Sequence, residues 1–323
     1  MSAPAGLDQL LDRISTCSIL VVGDLMVDQF VIGTVDRISP EAPVPIIRFD
    51  HETWRLGGAA NVAHNVLALG GRVDAIGVVG TDADGARLLD ELSGRSIGSA
   101  GIISDASRRT TRKLRVVTTR NQQVARIDYE MDGDIDPSIE TLVIRRISDL
   151  AASANAIVIS DYLKGVITPK VAAACAHAAR SHGVPLLVDP KVAHIERYHG
   201  ATVITPNHHE AESVTHMRIR SEADAREAAR RFRDRAGCEA VLITRGEHGM
   251  WLLGREHEEV ALPAEAREVA DVTGAGDTVV SALALAMAAG APLAEAARFA
   301  NRAAGIVVGK FGPATASPEE LKG

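Results

Sequence analysis

One acidic residue, Asp277, directly follows three small residues, Gly274, Ala275 and Gly276, and precedes a long run rich in Ala and Leu. This pattern predicts a tight turn that opens a helix. Amide N–H groups at a helix N-terminus lack intrahelical acceptors, so small residues there let a phosphate approach closely. A carboxylate would repel that polyanion. We therefore expect Asp277 to face a second substrate and accept a proton from an attacking hydroxyl; the alternative is an Asp that only caps the helix.

The segment DVTGAGDT, residues 271–278, resembles the DTxGAGD signature of the ribokinase-like (PfkB) carbohydrate kinases. In that family the final Asp is the catalytic base and the preceding amides form an anion hole, which implies these roles for Asp277 and for the Gly-Ala-Gly run. Val272 replaces the usual Thr or Ser and leaves this core intact. The resemblance implies an α/β protein, a ribokinase-like three-layer α/β/α fold with a mostly parallel central sheet and a small β-strand lid.

The bulk composition limits the partners and the location of the protein. The chain of 323 residues fits one large α/β unit, so we expect a single domain with β-strand arms at about 28–52 and 109–131. A net charge of −7 argues against a nucleic-acid or anionic-membrane partner. The 3 cysteines lack CxxC spacing and predict reduced thiols. The N-terminus lacks the layout of a signal peptide, so we expect a cytoplasmic protein.

Residues suited to a sugar follow the first predicted strand. An apolar run ends at Gly23-Asp24, and acidic side chains at such a strand end are expected to face a ligand crevice. The segment GDLMVD resembles the opening motif of the family, in which the second Asp binds sugar hydroxyls, and this implies a sugar contact for Asp28. A solvated turn residue is the alternative.

RLGGAANVAHN, residues 55–65, has small residues at a predicted helix start. Gly57 and Gly58 allow a sugar to lie against the backbone, and the side chain of Asn61 donates and accepts hydrogen bonds with adjacent hydroxyls. The segment resembles the first signature of the family, in which the Gly pair and the Asn touch the sugar. Close helix packing would require the same residue types and stays open as the alternative.

Two β-rich segments are predicted outside the main sheet. DRISPEAPVPI, residues 36–46, resembles a subgroup of the family, the kinases of D-glycero-β-D-manno-heptose 7-phosphate in the pathway to ADP-heptose and lipopolysaccharide. Residues 110–131 alternate around Asn121 and predict a second hairpin. Lys113 and Arg115 share one strand face there and suit the phosphate of a phosphosugar, although solvated strand charges are the alternative.

After Pro137, apolar strands alternate with helical stretches, which predicts a parallel sheet with helices on both faces. Polar residues follow the strands in DYLKG, VDPK and TPNHHE, as an active-site rim requires. The last of these resembles the NxxE motif that organises Mg²⁺ around the phosphates, which implies such a role for Asn207 and, through water, for Glu210. Lys164 and Lys191 are expected to offset phosphate charge. Strand-end capping is the alternative for all four.

The nucleotide site is predicted from two later segments. LITRGEHGMWLL, residues 242–253, resembles the strand-turn-strand beside the nucleotide in the family, matching at Thr244, Gly246 and Gly249, although a plain hairpin fits equally well. FANRAAGIVVGKFGPAT resembles the closing helix of these kinases, in which Asn301 lies near the adenine. A monovalent-cation site near Asp271 is common in the wider family, and the sequence leaves its presence here open.

These patterns lead to one main hypothesis, an Mg²⁺-dependent kinase that transfers the γ-phosphoryl group of ATP to the anomeric hydroxyl of a heptose 7-phosphate. The alternatives are a related kinase acting on ribose, a ketohexose phosphate or a nucleoside, a catalytically silent regulator, and a dehydrogenase, which the absence of GxGxxG after the first strand disfavours. Exposed β-arms predict a homodimer formed through the lid. We expect a separate adenylyltransferase to act downstream, since many members of the subgroup carry one at the C-terminus and this chain ends at Gly323.

Overall fold

The computed structural model describes residues 6–255, 258–265 and 269–323. Its strands are β1 (Ser18–Gly23), β2 (Leu25–Ile38), β3 (Pro45–Gly58), β4 (Arg72–Gly80), β5 (Gly98–Asp105), β6 (Thr111–Thr118), β7 (Gln123–Tyr129), β8 (Ala156–Ser160), β9 (Leu186–Asp189), β10 (Val203–Ile204), β11 (Ala240–Thr244), β12 (Met250–Leu253) and β13 (Glu259–Leu262). Its helices are α1 (Leu7–Ile14), α2 (Ala59–Ala68), α3 (Ala83–Gly94), α4 (Pro137–Ala151), α5 (Pro169–His182), α6 (His208–Thr215), α7 (Glu222–Ala236), α8 (Ala275–Ala288), α9 (Leu293–Val307) and α10 (Pro318–Lys322), with short 3₁₀ segments at Val192–Tyr198 and Gly246–His248.

The main sheet has nine strands in the order β13-β12-β11-β10-β9-β8-β1-β4-β5. In this order, the seven strands from β11 through β5 pair in parallel, and β12 runs antiparallel to both of its neighbours, β11 and β13. Because the connections are mostly helical crossovers, the carboxyl ends of the parallel strands meet along one edge. The polar strand-end residues predicted from the sequence therefore lie along the same edge.

The main sheet is buried on both faces. Along β1, Ile19 and Val21 belong to the core formed with α1, α2, α8 and α9, whereas Leu20 and Val22 belong to the core formed with α4, α5 and α7. Alternate side chains of a strand point to opposite faces, so a strand covered on both sides is apolar throughout. This arrangement is the three-layer α/β/α architecture that the sequence predicts.

Helix α8 is apolar around most of its circumference and is buried between α2, α9 and the sheet. The uncharged run from Thr278 to Ala294 contains Gly290 and Pro292, and the structure ends one helix and begins another at this point. α8 ends at Ala288, Gly290 has a left-handed backbone with φ of +80°, and α9 begins at Leu293 directly after Pro292. Within the described residues, the model contains no helix that is both long enough and apolar enough to cross a membrane.

The second sheet has four strands in the order β3-β2-β6-β7. β2 and β3 form a long antiparallel hairpin, β2 pairs in parallel with β6, and β6 returns antiparallel as β7. Asn121 has a φ of +61° in the turn between β6 and β7, so the predicted second hairpin is confirmed. Since β2 begins two residues after β1 ends, and β3 leads directly into α2, the small sheet is attached beside the strand-end edge.

Candidate active site

The turn before α8 has the geometry expected of an anion cradle. Gly274 is the N-terminal cap of α8 and has a left-handed backbone with φ of +80°. A Cβ atom added at Gly276 would meet nothing within 4 Å, so the helix N-terminus is open at this point. The amide of Ala275 donates to the carbonyl of Val272 at 3.2 Å. The amides of Gly276 and Asp277 lie in the first turn, where the helix supplies no acceptor.

The carboxylate of Asp277 is buried and held at both oxygens. Asn61 Nδ2 donates to Oδ2 at 2.6 Å, and the Tyr162 hydroxyl donates to Oδ1 at 2.6 Å. Burial raises the pKa of Asp277 to about 6, while the two hydrogen bonds favour the charged form and oppose that rise. A carboxylate with a pKa near neutrality, fixed in one orientation, has the properties of a general base.

A set of polar contacts joins α2 to α8 behind this carboxylate. The hydroxyl of Thr278 donates to Asn65 Oδ1 at 2.7 Å, and Asn65 Nδ2 donates to the backbone carbonyl of Asn61 at 2.9 Å. The hydroxyl of Ser281 lies 3.0 Å from the carbonyl of Val62. Buried polar groups that are all paired fix a unique arrangement of the elements that carry them. The two helices therefore position Asn61 against Asp277.

Asp28 of β2 lies beside the glycine pair at the end of β3. Arg115 Nη1 forms an ion pair with Asp28 Oδ1, and a Cβ added at Gly57 would approach Asp28 Oδ2 to 2.6 Å. Gly58 has a φ of +55° and caps α2. The predicted sugar residues Asp28, Gly57, Gly58 and Asn61 thus come together where the small sheet joins the main sheet, and Arg115 already has a partner there.

Two lysines from different sheets face the ring of Tyr162. Lys113 Nζ, from β6, lies 5.6 Å from the ring centroid, and Lys191 Nζ, which follows β9, lies 5.3 Å from it. Burial lowers the pKa of Lys113, although Asp28, Asp128 and Glu130 oppose the shift. Among the described residues, no carboxylate forms an ion pair with Lys113. Its ammonium group is therefore available to an anionic ligand.

The residues of the predicted NxxE motif cap α6. Asn207 Oδ1 accepts from the amide of Glu210 at 2.9 Å, and Glu210 Oε2 accepts from the amide of Asn207 at 2.9 Å. Glu210 Oε1 accepts from Lys191 Nζ at 2.9 Å. Burial would lower the pKa of Lys191, but Asp189 and Glu210 outweigh it and raise that pKa. Each oxygen of Glu210 therefore accepts one hydrogen bond from the protein and keeps a lone pair for a further donor such as water.

Lys164 faces a different group of carboxylates. Its Nζ lies 2.7 Å from Asp132 Oδ1 and 2.9 Å from Glu130 Oε1, just beyond β7. Burial would lower the pKa of Lys164, but hydrogen bonds to these two carboxylates outweigh it and raise the pKa. Unlike Lys113, this lysine is neutralised within the protein itself.

The predicted nucleotide residues lie around β11, β12 and α9. Asn207 forms an isolated bridge with Thr244, the last residue of β11. Gly246 and Gly249 have positive φ values of 57° and 72° and lie in the turn of the antiparallel β11–β12 hairpin. Asn301 Nδ2 donates to the carbonyl of Pro263 at 2.8 Å, so its side chain fixes the segment after β13. The described residues contain no group of three or more His, Cys, Asp or Glu side chains placed to hold a metal ion.

Two side chains differ from what the sequence predicts. The DYLKG motif predicts no role for Tyr162, although a phenol beside a strand end is itself a signal of a polar contact. Asp24 was expected to face the crevice, but its side chain points inward and accepts from the amides of Tyr162 at 2.8 Å, Lys164 at 3.0 Å and Val166 at 3.1 Å. Asp24 shapes the loop instead, because a buried carboxylate is stable when several donors surround it.

Comparison with known families settles the class of protein. The model of the pfkB family carbohydrate kinases matches residues 17–320. The chain belongs to the pfkB family. It is therefore a phosphotransferase with an alcohol group as acceptor, a sugar kinase with ATP as co-substrate, and the family membership excludes the dehydrogenase alternative.

The chain is similar to several curated proteins over nearly its full length. It is 45% identical over 316 residues to "Bifunctional protein HldE" of Geobacter sulfurreducens. The alignment covers 98% of this chain and 64% of that protein. The protein of the same name from Caulobacter vibrioides is 46% identical over 305 residues, with 94% and 62% covered. This pfkB kinase thus spans a little under two thirds of the length of the relatives it matches.

Solved structures confirm the fold. The Phosphofructokinase-2 from Escherichia coli in complex with substrates and products superposes with a TM-score of 0.79 at 20% identity, covering 95% of this chain and 97% of that one. The ribokinase of Arabidopsis thaliana complexed with ribose and ATP gives a TM-score of 0.73 at 20% identity, with the same coverage. The predicted ribokinase-like fold, with a mostly parallel sheet and a small second sheet, is therefore correct.

Proposed function

We propose that this pfkB kinase transfers the γ-phosphoryl group of ATP to the anomeric hydroxyl of D-glycero-β-D-manno-heptose 7-phosphate, which gives the 1,7-bisphosphate. The observation that carries the proposal is the buried carboxylate of Asp277 beside an open helix N-terminus. The similarity to the bifunctional HldE proteins across 98% of the chain supports the heptose phosphate as substrate. The DRISPEAPVPI segment in the β2–β3 arm supports the same assignment.

In this mechanism Asp277 accepts the proton of the anomeric hydroxyl as the hydroxyl attacks the γ-phosphorus. A hemiacetal hydroxyl is more acidic than an ordinary alcohol, so a carboxylate with a pKa of about 6 is an adequate base. The amides of Gly276 and Asp277, and that of Ala275 once it leaves Val272, would stabilise the charge on the transferring group. Lys191 would offset negative charge on the phosphates from the opposite side.

The sugar would lie between Asp28, Asn61 and the glycine pair Gly57-Gly58, with its anomeric carbon towards Asp277. The 7-phosphate would be held by Lys113, whose ammonium has no carboxylate partner in the described part of the chain, with Arg115 as its neighbour on the strand. The nucleotide would lie over Asn207, Thr244, Gly246 and Gly249 and extend towards Asn301. Glu210 would hold Mg²⁺ through water, and the ion would supply positive charge that offsets the charge developing on the phosphates.

Further parts of the proposal concern assembly and pathway. Exposed apolar side chains on the β2–β3 arm, with Ile38 and Phe49 both 61% exposed, support a homodimer formed through the small sheet.

A monovalent cation would lie near Asp271, which accepts from Thr273 and from the amide of Gly312. The bisphosphate product would enter the route to ADP-heptose, and the reaction would take place in the cytoplasm.

The decisive experiment is a substrate panel that measures ADP release. The panel contains the heptose 7-phosphate, the unphosphorylated heptose, ribose, fructose 6-phosphate and a nucleoside, each with MgATP. We expect the highest kcat/KM for the heptose 7-phosphate. Faster turnover of ribose or of the nucleoside would contradict the proposed substrate but not the kinase activity. Equal turnover of both heptoses would show that the enzyme does not recognise the 7-phosphate.

A further inference from the structure

Both oxygens of the predicted base have protein donors before any substrate binds. One donor, Asn61, belongs to the sugar-binding motif of α2, but the other, Tyr162, has no role in the mechanism described so far. Each carboxylate oxygen has two lone pairs, so an approaching hydroxyl can still be accepted beside the phenol. Tyr162 is thus compatible with catalysis while it restricts the rotation of Asp277.

The backbone of Tyr162 is held as firmly as its side chain. Its amide donates to Asp24 Oδ2 at 2.8 Å, and Leu163, which has a φ of +58°, donates to Asp161 Oδ1 at 2.8 Å. Asp161 is in turn held by the hydroxyl of Tyr198 at 2.8 Å. A non-Gly residue with positive φ persists only where the surroundings determine it. The loop therefore presents the phenol at a fixed position.

The ring of Tyr162 also lies between the two sheets. Lys113 of the small sheet and Lys191 of the main sheet each approach it within 6 Å, at 5.6 and 5.3 Å from the centroid. Such contacts between a cation and an aromatic ring are favourable. The same side chain therefore contacts the predicted base, the predicted ligand of the sugar phosphate and the predicted ligand of the ATP phosphates.

We infer that Tyr162 is a positioning residue for Asp277: its hydroxyl fixes one carboxylate oxygen of the base, and the two lysines fix its ring. The inference rests on the proposed kinase mechanism for its catalytic meaning. A hydrogen bond donated to a carboxylate stabilises the charged form, so Tyr162 keeps Asp277 ionised in a site whose burial favours the neutral acid. Without the phenol the base would remain protonated to higher pH.

The test is Tyr162→Phe, which removes the hydroxyl and leaves the ring between Lys113 and Lys191. The acidic limb of kcat is expected to move up by about one pH unit, the size of one hydrogen bond to a charged group. At pH 7 about half of the base would then be ionised, so kcat is expected to fall about twofold and to recover at pH 9, where the base is fully ionised. The wild type and the variant use the same substrates, so the ionisation of the sugar phosphate contributes equally to both pH profiles and cancels in their difference.

The other charged groups around Asp277 come from neighbouring strands. Asp28 of β2 carries like charge and Lys191 carries the opposite charge, while burial raises the pKa of Asp189 of β9 to about 8. None of them is changed in the variant. Thr168→Val is the matched control, since it also removes a buried hydroxyl from a carboxylate, Glu140, which has no part in the proposed site. We expect the control to leave the acidic limb where it is. A limb that moves equally in both variants would overturn the inference.

A second measurement separates this inference from the proposed function. The carboxyl carbon of Asp277, labelled with ¹³C and assigned by its loss in Asp277→Asn, reports the titration by NMR without any substrate. A higher pKa in Tyr162→Phe is expected, and an unchanged pKa would overturn the inference even in an active kinase. If the wild-type protein phosphorylates no sugar, the mechanism fails, and the NMR titration still decides whether Tyr162 controls the ionisation of Asp277.

Discussion

Asn61 Nδ2 lies 2.6 Å from Asp277 Oδ2, although 216 positions separate the two residues in the chain. One belongs to the motif that resembles a sugar site and the other to the motif that resembles a phosphate cradle. The contact brings the two motifs together at a single carboxylate. Such an arrangement is required for a base that acts on one substrate while the other is held at the helix N-terminus.

The first prediction concerns Asp277→Asn. We expect kcat to fall by about 10²- to 10⁴-fold, the usual contribution of a general base, while ATP and sugar still bind. The fold should be retained, because the Tyr162 hydroxyl both donates and accepts hydrogen bonds and can accept from the new amide. ADP release and calorimetric titration with each substrate measure the two effects. Asp12→Asn, an exposed carboxylate on α1, is the control; turnover that survives in Asp277→Asn would remove this residue from the mechanism.

The second prediction concerns the pH dependence of kcat in the wild-type enzyme. Asp277 must be ionised to accept a proton, and its pKa is raised to about 6 chiefly by burial. Activity should therefore fall as the pH drops through about 6, and bound ATP should move this limb up, since its negative charge disfavours a second anion nearby. Rates at saturating concentrations of both substrates report the bound complex and exclude the ionisation of free sugar phosphate. A limb centred below pH 5 would contradict the assignment.

The third prediction compares two glycines of the turn before α8. Gly274→Ala forces a left-handed backbone, with φ of +80°, on a residue with a side chain and brings its Cβ to 3.0 Å from Asn61 Nδ2. We expect a loss of about 1–2 kcal/mol of stability and a melting temperature lower by a few degrees. Gly276→Ala meets nothing within 4 Å and should fold as well as the wild type.

Gly276→Ala should lower catalysis without lowering stability, whereas the main effect of Gly274→Ala should be on stability. The methyl group of Gly276→Ala would occupy the space proposed for the γ-phosphate, so kcat should fall although the melting temperature is unchanged. Thermal melts and ADP release, measured side by side, separate the two causes. Full activity in Gly276→Ala would show that the phosphate does not approach this helix N-terminus.

The fold was predictable because its signals are local. Apolar runs such as that of β1 are buried on both faces, and turn residues such as Asn121 mark the hairpins. The clustering of the strand-end residues followed from the parallel order of the strands. The break between α8 and α9 is local as well, because Gly290 and Pro292 both interrupt a helix.

The role of Tyr162 was not predictable in the same way. Its hydroxyl reaches a residue 115 positions away, and its amide reaches Asp24, 138 positions away. Sequence spacing locates both groups at strand ends but does not show whether a side chain there points inward or outward. Asp24 illustrates the difference, since it turns inward and is satisfied by backbone donors.

The last prediction concerns which lysine binds the phosphate of the sugar. Lys113 is half-buried beside Tyr162 and has no ion-pair partner in the described residues, whereas Lys164 is neutralised by Glu130 and Asp132. Lys113→Met should raise KM for the heptose 7-phosphate by about 10- to 100-fold, the value of a hydrogen bond to a charged group, and barely change KM for the unphosphorylated heptose. Lys164→Met is the matched control and should have the smaller effect. Steady-state kinetics with both sugars provide the measurement, and a larger rise in KM for Lys164→Met would assign the phosphate to Lys164, because only the lysine that meets the phosphate can distinguish the two sugars.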